Sequence, residues 1–388
     1  MPSTLFLQSE VQDPYSLYTT MLNEHPIHWN EANQIWAIYS HKYCTEILNS
    51  PNVHIPVINQ NNEQKLNEYA LQIISQLSRL SNDIQHHIAK ETAILLFSNM
   101  KSIFINEIIK NLLQNELMQN KIDWVNTVCK KLPILVVLKS FDFKEADCFF
   151  ISEKIEQLVK IMLPNKSTEQ VQSINEISKE IYSITEKHLS SLNFYHPLLN
   201  TISKTHTITI NETIAMCVSN LIGLFIQSYD AGRGILSNSL LQIMNNDNLI
   251  FENDRDKMWI QKSVTEVLRF DPPIHNTRRV AVADITLGDT IIKKGEAILI
   301  VLAAANRDPE KFNNAMDFDI ERANNNEHLT FGIGGHMCLA KHFSINLATE
   351  AISYLSDQYK TIKLLEKNIH YEPMLNARLP KSILISLL

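Results

Sequence analysis

Apolar positions along this chain recur mostly at helical spacing, with alternating, strand-like spacing confined to a few short stretches. Helices are expected over residues 13–24 and 42–48, with short strands at 27–29 and 35–39 between them. Residues 50–70, rich in Asn and Gln and containing Pro51 and Pro56, lack periodicity and read as a loop region with room for a lid. Helical patterns then dominate from 66 to 199. Thr209 opens a capping box with Glu212, apolar residues recur from Ile214 to Ile243, and polar residues at 245–248 stop the run, so one long helix is expected over about 209–245. At 1.5 Å per residue it would run roughly 50 Å, and its all-round hydrophobicity makes it the buried spine of the fold.

A further helix over 256–270 ends ahead of Pro272 and Pro273, because a proline drives the residue before it out of the helical region. Strands follow at 285–287, 290–292 and 297–301, joined by turns at Gly288 and Asp289 and at Lys294 and Gly295. The chain closes with a helix over 339–358 and strand-like segments at 362–364 and 383–387. No repeat or linker divides it. The expectation is one domain over 1–388, mainly α with minor β.

Composition narrows the function classes. With 45% hydrophobic and 20% charged residues and a formal charge of −7, the 388-residue chain is an ordinary globular protein and a poor candidate for nucleic-acid binding. Residues 1–13 lack a basic region followed by an apolar run, so neither a signal peptide nor an anchor is expected, and the location expected is the cytoplasm. The longest apolar stretch, 214–226, is interrupted by Ser219 and Asn220 and reads as core rather than membrane span. Cys44, Cys129, Cys148, Cys217 and Cys338 form an odd, scattered set without a CxxC pair, which fits a reducing compartment.

Glycine is more telling. There are 8, none before residue 223, and Gly332, Gly334 and Gly335 fall within four positions, where the backbone must need positive φ or a close approach. Gly232 and Gly234 lie inside the long helix, where glycine costs about 1 kcal/mol relative to alanine, implying a kink or close packing.

The segment Phe331, Gly332, Ile333, Gly334, Gly335, His336, Met337, Cys338 sets a cysteine just before an amphipathic helix. The positive end of the helix dipole, about half an elementary charge, lowers a thiol pKa and favours the thiolate, the form that binds iron. Three other readings compete. Cysteine is among the most buried residue types, so a structural role is the ordinary one. A phosphate loop would need a Gly-Lys-Ser/Thr ending, and a zinc site built on His336 and Cys338 lacks nearby partners.

His328, Leu329 and the run from Phe331 to Cys338 resemble the haem-binding signature of the cytochrome P450 family. The resemblance implies that Cys338 is the axial thiolate of haem b, that Phe331 packs near the sulfur and that His336 contacts a propionate. Ala340 stands where the family most often has Gly. Glu266 and Arg269, at i and i+3, read alone as a solvated surface pair; together with Arg322 the resemblance implies a structural Glu-Arg-Arg network beneath the loop. Arg279 resembles the family arginine that pairs with a propionate, a task its planar guanidinium suits, with neighbouring Arg278 as the alternative. His86 and Lys90, at i and i+4, resemble the other propionate pair, Lys90 standing where the family prefers Arg. Residues 13–48 and 303–309 also match; agreement is weakest between 50 and 200.

In the long helix, residues 227–232 resemble the place where the family bends its helix over the iron. An acid in an apolar helix must be paired, hydrated or functional, and Asp230 matches the family's proton-relay acid. The family usually follows that acid with threonine, whose hydroxyl helps deliver protons during oxygen activation; here Ala231 follows, then Gly232. A water, Ser228 or a substrate hydroxyl would then complete the relay. By matched position, Leu224, Phe225, Ser228, Ala231, Ile274, His275, Asn276 and Met374 would line the substrate pocket.

The function implied is a monooxygenase that oxidises a small lipophilic or natural-product-like molecule with O2 and two electrons. No reductase domain is present in the sequence, so a separate ferredoxin- or flavodoxin-type donor is expected, with Lys341 and His342 as contacts. Oxidative coupling, desaturation or peroxide-driven oxidation at the same site are alternatives, as is a haem-binding carrier or sensor without turnover, for which Ala231 is the main support.

Overall fold

The computed structural model describes residues 4–56, 65–114, 121–246 and 256–388, so the middle of the expected 50–70 loop and the polar stop at 247–248 lie outside the described residues. The chain divides into two compact units, one formed by Met1–His54, Ile105–Leu132 and Ala231–Leu388, the other by Ile55–Phe104 and Pro133–Asp230.

The first unit carries every strand among the described residues. In chain order these are β1 (Ile27–Asn30), β2 (Ile35–Ile38), β3 (Val53–His54), β4 (Lys121–Asp123), β5 (Thr277–Ala281), β6 (Ile285–Leu287), β7 (Thr290–Ile292), β8 (Ala297–Ile300), β9 (Ile362–Leu364) and β10 (Leu384–Leu387). They form a five-stranded sheet of order β1-β2-β8-β5-β3, a three-stranded sheet β4-β10-β9 and the hairpin β6-β7. The β2-β8 pair is parallel and sets Ile38 opposite Ile300, while β5 runs antiparallel to β8 with Arg279 opposite Ile298. One core cluster joins Ile38, Ile47, Ile298, Ile300 and Leu329, so the sheet is packed to the segment that leads into the glycine-rich loop.

The helix Pro14–Glu24 begins where Asp13 accepts the Tyr15 N–H and Pro14 occupies the first turn, where a missing N–H costs nothing. The helix Lys257–Phe270, capped by Asp256, packs against the helix Lys341–Gln358. β4 departs from the helical expectation for 66–199: it pairs with β10 through Ile122 and Ile385, and three residues are too few to show a two-residue period.

Among its described residues the regular elements of the second unit are all helices. Its polar positions are spent on helix ends. Asn67 caps the helix Glu68–Gln76, and the two residues that interrupt the apolar run of the long helix serve that same short helix: Ser219 donates to the Gln72 carbonyl (3.3 Å) and Asn220 to the Gln76 carbonyl (2.9 Å). An amide buried this way satisfies C-terminal carbonyls that would otherwise lack partners.

The long helix spans Ile210–Asn246, 37 residues, about 55 Å at the α-helical rise. Its capping box forms as expected, Glu212 accepting the Thr209 N–H and Thr209 Oγ1 accepting the Glu212 N–H. It is α-helical without interruption, and a Cβ at Gly234 would collide with Pro273 and Leu379, so close packing accounts for that glycine. By length and composition the stretch Ile210–Asn245 could cross a membrane, yet 67% of its most apolar window is buried within the protein, as in a core helix.

Candidate active site

The loop 331–338 is folded largely by its own backbone. Gly332 N–H donates to the Leu329 carbonyl (2.8 Å), Met337 N–H to Gly334 (3.2 Å) and Cys338 N–H to Phe331 (2.9 Å). These closures need φ of +65° at Gly332 and +69° at Gly334, a region costly for any residue with a Cβ. A Cβ at Gly334 would also lie 3.0 Å from the Leu48 carbonyl and 2.9 Å from Asn49 Oδ1. The loop's entrance is tied by Asn306, whose Oδ1 accepts the Leu329 N–H (2.7 Å) and whose Nδ2 donates to Thr330 Oγ1 (2.8 Å); that hydroxyl donates to the Leu268 carbonyl (2.6 Å).

Below the loop, Glu266, Arg269 and Arg322 form one buried network. Arg269 Nη2 lies 2.6 Å from Glu266 Oε1, both side chains are 0% exposed, and Arg322 Nε reaches the same oxygen at 3.4 Å. Arg269 also donates to the carbonyls of Asn306, Ala315 and Asp317, and Arg322 to those of Asn313, Asn314 and Asp317. The surface-pair reading of Glu266 and Arg269 is therefore set aside. Two cations and a carboxylate, stripped of water, hold the backbone at 306–317 through nearly every donor they possess.

The five cysteines separate cleanly. Cys44, Cys129, Cys148 and Cys217 are buried, and loss of solvent pushes their thiols up, to about 11 for Cys148 and about 12 for Cys217. Cys338 is exposed. It precedes the helix Lys341–Gln358, whose cap residue, Ala340, offers no side-chain acceptor to the first-turn N–H groups. That end of the helix keeps its positive character for whatever anion lies beside it.

Arg279 supplies a test of whether a haem suits these residues. It is 5% exposed, and among the described residues its hydrogen bonds run to the Thr277 hydroxyl (3.2 Å) and the Arg278 carbonyl (2.8 Å). Burial pulls its guanidinium down to about 10. A buried cation with neutral partners is unfavourable until a carboxylate arrives, which is what a propionate provides, while Arg278 is exposed. The exposed thiol, the glycine loop and Arg279 thus fit haem b. His336 and Phe331 are half-buried, Phe331 against the ring of His328 (centroids 5.8 Å). His328 Nδ1 accepts the Thr330 N–H, its Nε2 has no partner among the described residues, and burial lowers its pKa to about 3.

In the second unit, His86 and Lys90 lie one turn apart on the helix Asp83–Ser98, and His86 Nδ1 bonds the Ser78 carbonyl (2.7 Å). Along the long helix, between Ala215 and Leu241, the residues that escape burial are Leu224, Gln227, Ser228, Asp230 and Ala231. Four of them, at i, i+3, i+4 and i+7, form one stripe. Ser228 donates its hydroxyl to the Phe225 carbonyl (2.9 Å).

Several expected pocket residues belong elsewhere. Phe225 is 0% exposed and meets Phe143 edge-on at 5.8 Å, so it is core. His275 is also 0% exposed; its Nδ1 lies 3.0 Å from the Tyr18 hydroxyl and its Nε2 3.4 Å from that of Tyr15, and burial holds its pKa well below the usual imidazole value. Asn276 is buried and donates to the Leu375 carbonyl (2.9 Å), a structural tie. Ile274 packs partly against the sheet core, and Met374 is half-buried. Asn306 escaped sequence reasoning, since an asparagine in an apolar stretch carries no periodic signal.

Comparison with known proteins agrees with this geometry. Residues 235–348 match the family model described as cytochrome P450. The chain is 24% identical to cytochrome P450 119 of Sulfolobus acidocaldarius over 366 residues, 91% of this chain and 94% of that one. It is 24% identical to the biotin biosynthesis cytochrome P450 of Bacillus subtilis over 380 residues, 95% and 94% of the two chains. Among solved structures, CalO2 superposes with a TM-score of 0.85 at 18% identity, covering 100% of this chain and 99% of that one. P450BioI, in complex with an acyl carrier protein bearing hexadec-9Z-enoic acid, gives 0.81 at 22% identity over 97% and 98%. Fold and relatives together define a haem-binding oxidoreductase. The family match over 235–348 and the similarity to cytochrome P450s along more than nine-tenths of the chain support a monooxygenase of the cytochrome P450 type, with haem b as its cofactor.

Proposed function

We propose that Cys338 is the thiolate ligand and that the enzyme oxidises a small lipophilic molecule, taking two electrons from a separate ferredoxin- or flavodoxin-type donor. The observation that carries this reading is the contrast between one exposed cysteine, set on a loop tied from outside, and four buried ones. Bound there, haem supplies reductive activation of O2, with the thiolate donating electron density.

The chain's own residues do the rest. Arg279 and His336 hold propionate oxygens, with His86 and Lys90 proposed as a second pair; Phe331 packs near the sulfur and limits access to it. Asp230 Oδ receives protons from solvent and passes them on. Ala231 has no hydroxyl, Gly232 has no side chain, and the Ser228 proton points to the Phe225 carbonyl. The last hop therefore falls to a water or a substrate hydroxyl. Leu224, Ser228, Ala231, Ile274 and Met374 remain the proposed pocket residues, and Lys341 and His342 the proposed donor contacts. Action as a single catalytic body in the cytoplasm belongs to the same proposal, supported by four buried thiols without disulfides.

Reconstitution tests it. Haem-loaded protein, supplied with NADPH, a ferredoxin and its reductase, should yield product containing one atom of 18O from labelled O2. Tight ligand binding with no labelled product from a broad lipophilic panel would instead identify a carrier or sensor.

A further inference from the structure

Gln227 occupies the middle of the accessible stripe, one turn before Ala231, and none of the roles assigned above uses it. Its Nε2 donates to the Gly223 carbonyl (3.0 Å). That bond fixes which end of the carboxamide is nitrogen, because a carbonyl cannot accept from an oxygen without a proton. It also lays the side chain back along the helix toward its N-terminal end, the direction helical side chains favour. Gly223 is needed for the close approach of Leu77, whose Cδ2 would lie 2.6 Å from a Cβ there, while the amide nitrogen of Gln227, at 3.6 Å, would be in ordinary contact. Held this way, Gln227 Oε1 accepts no hydrogen bond among the described residues, while one Nε2 proton stays uncommitted. Beside it, Ser228 has spent its only proton on the Phe225 carbonyl and retains acceptor capacity alone.

We infer that Gln227 is a substrate-anchoring residue that selects, within the lipophilic class, molecules carrying a hydroxyl group. The stripe sets two acceptor oxygens and one spare N–H beside Leu224. A hydroxyl both donates and accepts and so satisfies this set. A ketone or ether oxygen uses only the N–H, and a bare hydrocarbon leaves the amide desolvated without a partner. The inference rests on the proposed reading of the stripe as part of the substrate site.

Three rigid probes of equal shape provide the test: 2-adamantanol, 2-adamantanone and adamantane, with dissociation constants measured by calorimetry and, independently, from the haem Soret shift. The wild type should bind the alcohol about fivefold more tightly than the hydrocarbon, the gain expected of one net hydrogen bond, with the ketone between them. Gln227→Met, which keeps the length and loses the amide, should remove the ketone's advantage and reduce the alcohol's, leaving only the Ser228 oxygen as acceptor. Gln227→Glu, which loses both N–H groups and with them the bond to the Gly223 carbonyl, should lose the ketone's advantage. An alcohol preference absent from the wild type, or one undiminished in Gln227→Met, would overturn the inference. Calorimetry separates this outcome from failure of the haem reading, which would instead abolish the Soret response to all three probes in every variant.

Discussion

The loop 331–338 and the helix window 224–231 are built in opposite ways. The loop is specified many times over: two positive-φ glycines, two internal backbone bonds and a third to Leu329, Asn306 and Thr330 at its entrance, and a buried carboxylate with two arginines beneath. The window is a break in the burial of one regular helix, and the side-chain bonds of Gln227 and Ser228 return to the helix's own carbonyls. A ligand atom that must sit at one place demands redundancy, whereas a surface facing substrates can change residue by residue without cost to the fold. Substitutions in the loop should therefore act on stability and haem retention, and those in the window on the reaction.

The largest expected effect is at Arg269. Arg269→Ala leaves Glu266 charged and buried and should cost about 3–5 kcal/mol, seen as loss of soluble, haem-retaining protein. A melting temperature within a few degrees of wild type would mean that the network is not structural. Asn306→Ala strips the Leu329 N–H and the Thr330 hydroxyl of a partner and should cost about 1–3 kcal/mol in urea unfolding. Next comes acid stability. His328 has a native pKa of about 3, below its unfolded value, so between those values the unfolded chain binds more protons than the native one. Stability is then full above the unfolded pKa of about 6.5 and falls as pH drops toward 3, by roughly 1.4 kcal/mol per pH unit per such group. His275, shifted the same way, adds to this slope. His328→Gln should flatten the slope by about one proton, and an unchanged slope would remove His328 from the account. The smallest stability effect belongs to the window: Ala231→Thr should alter unfolding by only about 0.5 kcal/mol, the helix-propensity difference. It should nevertheless raise product formed per NADPH consumed. If yield is unchanged and peroxide release was already low, the missing hydroxyl is not a weak link.

Legibility in the sequence followed the same division. Capping residues and apolar periods gave the helices beginning at Pro14, Ile210 and Lys257 to within a residue or so, and paired turns gave the hairpin β6-β7. The loop was readable because glycine is rare elsewhere in this chain and its motif is contiguous. β4 was not, since its three residues become a strand only through pairing with β10, more than 250 positions away. Phe225 and His275 were placed in the pocket by position alone, and position does not report which way a side chain turns: one turns to Phe143, the other to two tyrosines. Gln227 carries no signal of its own in the sequence because its significance lies in exposure, which only the packed helix defines.

The central claim, that Cys338 carries the iron, is tested most directly by the carbon-monoxide difference spectrum of the reduced, haem-loaded protein beside Cys338→Ser. The account predicts a Soret band at about 450 nm for the wild type, lost in the variant. A wild-type band at about 420 nm, or one at about 450 nm that survives the substitution, would contradict it.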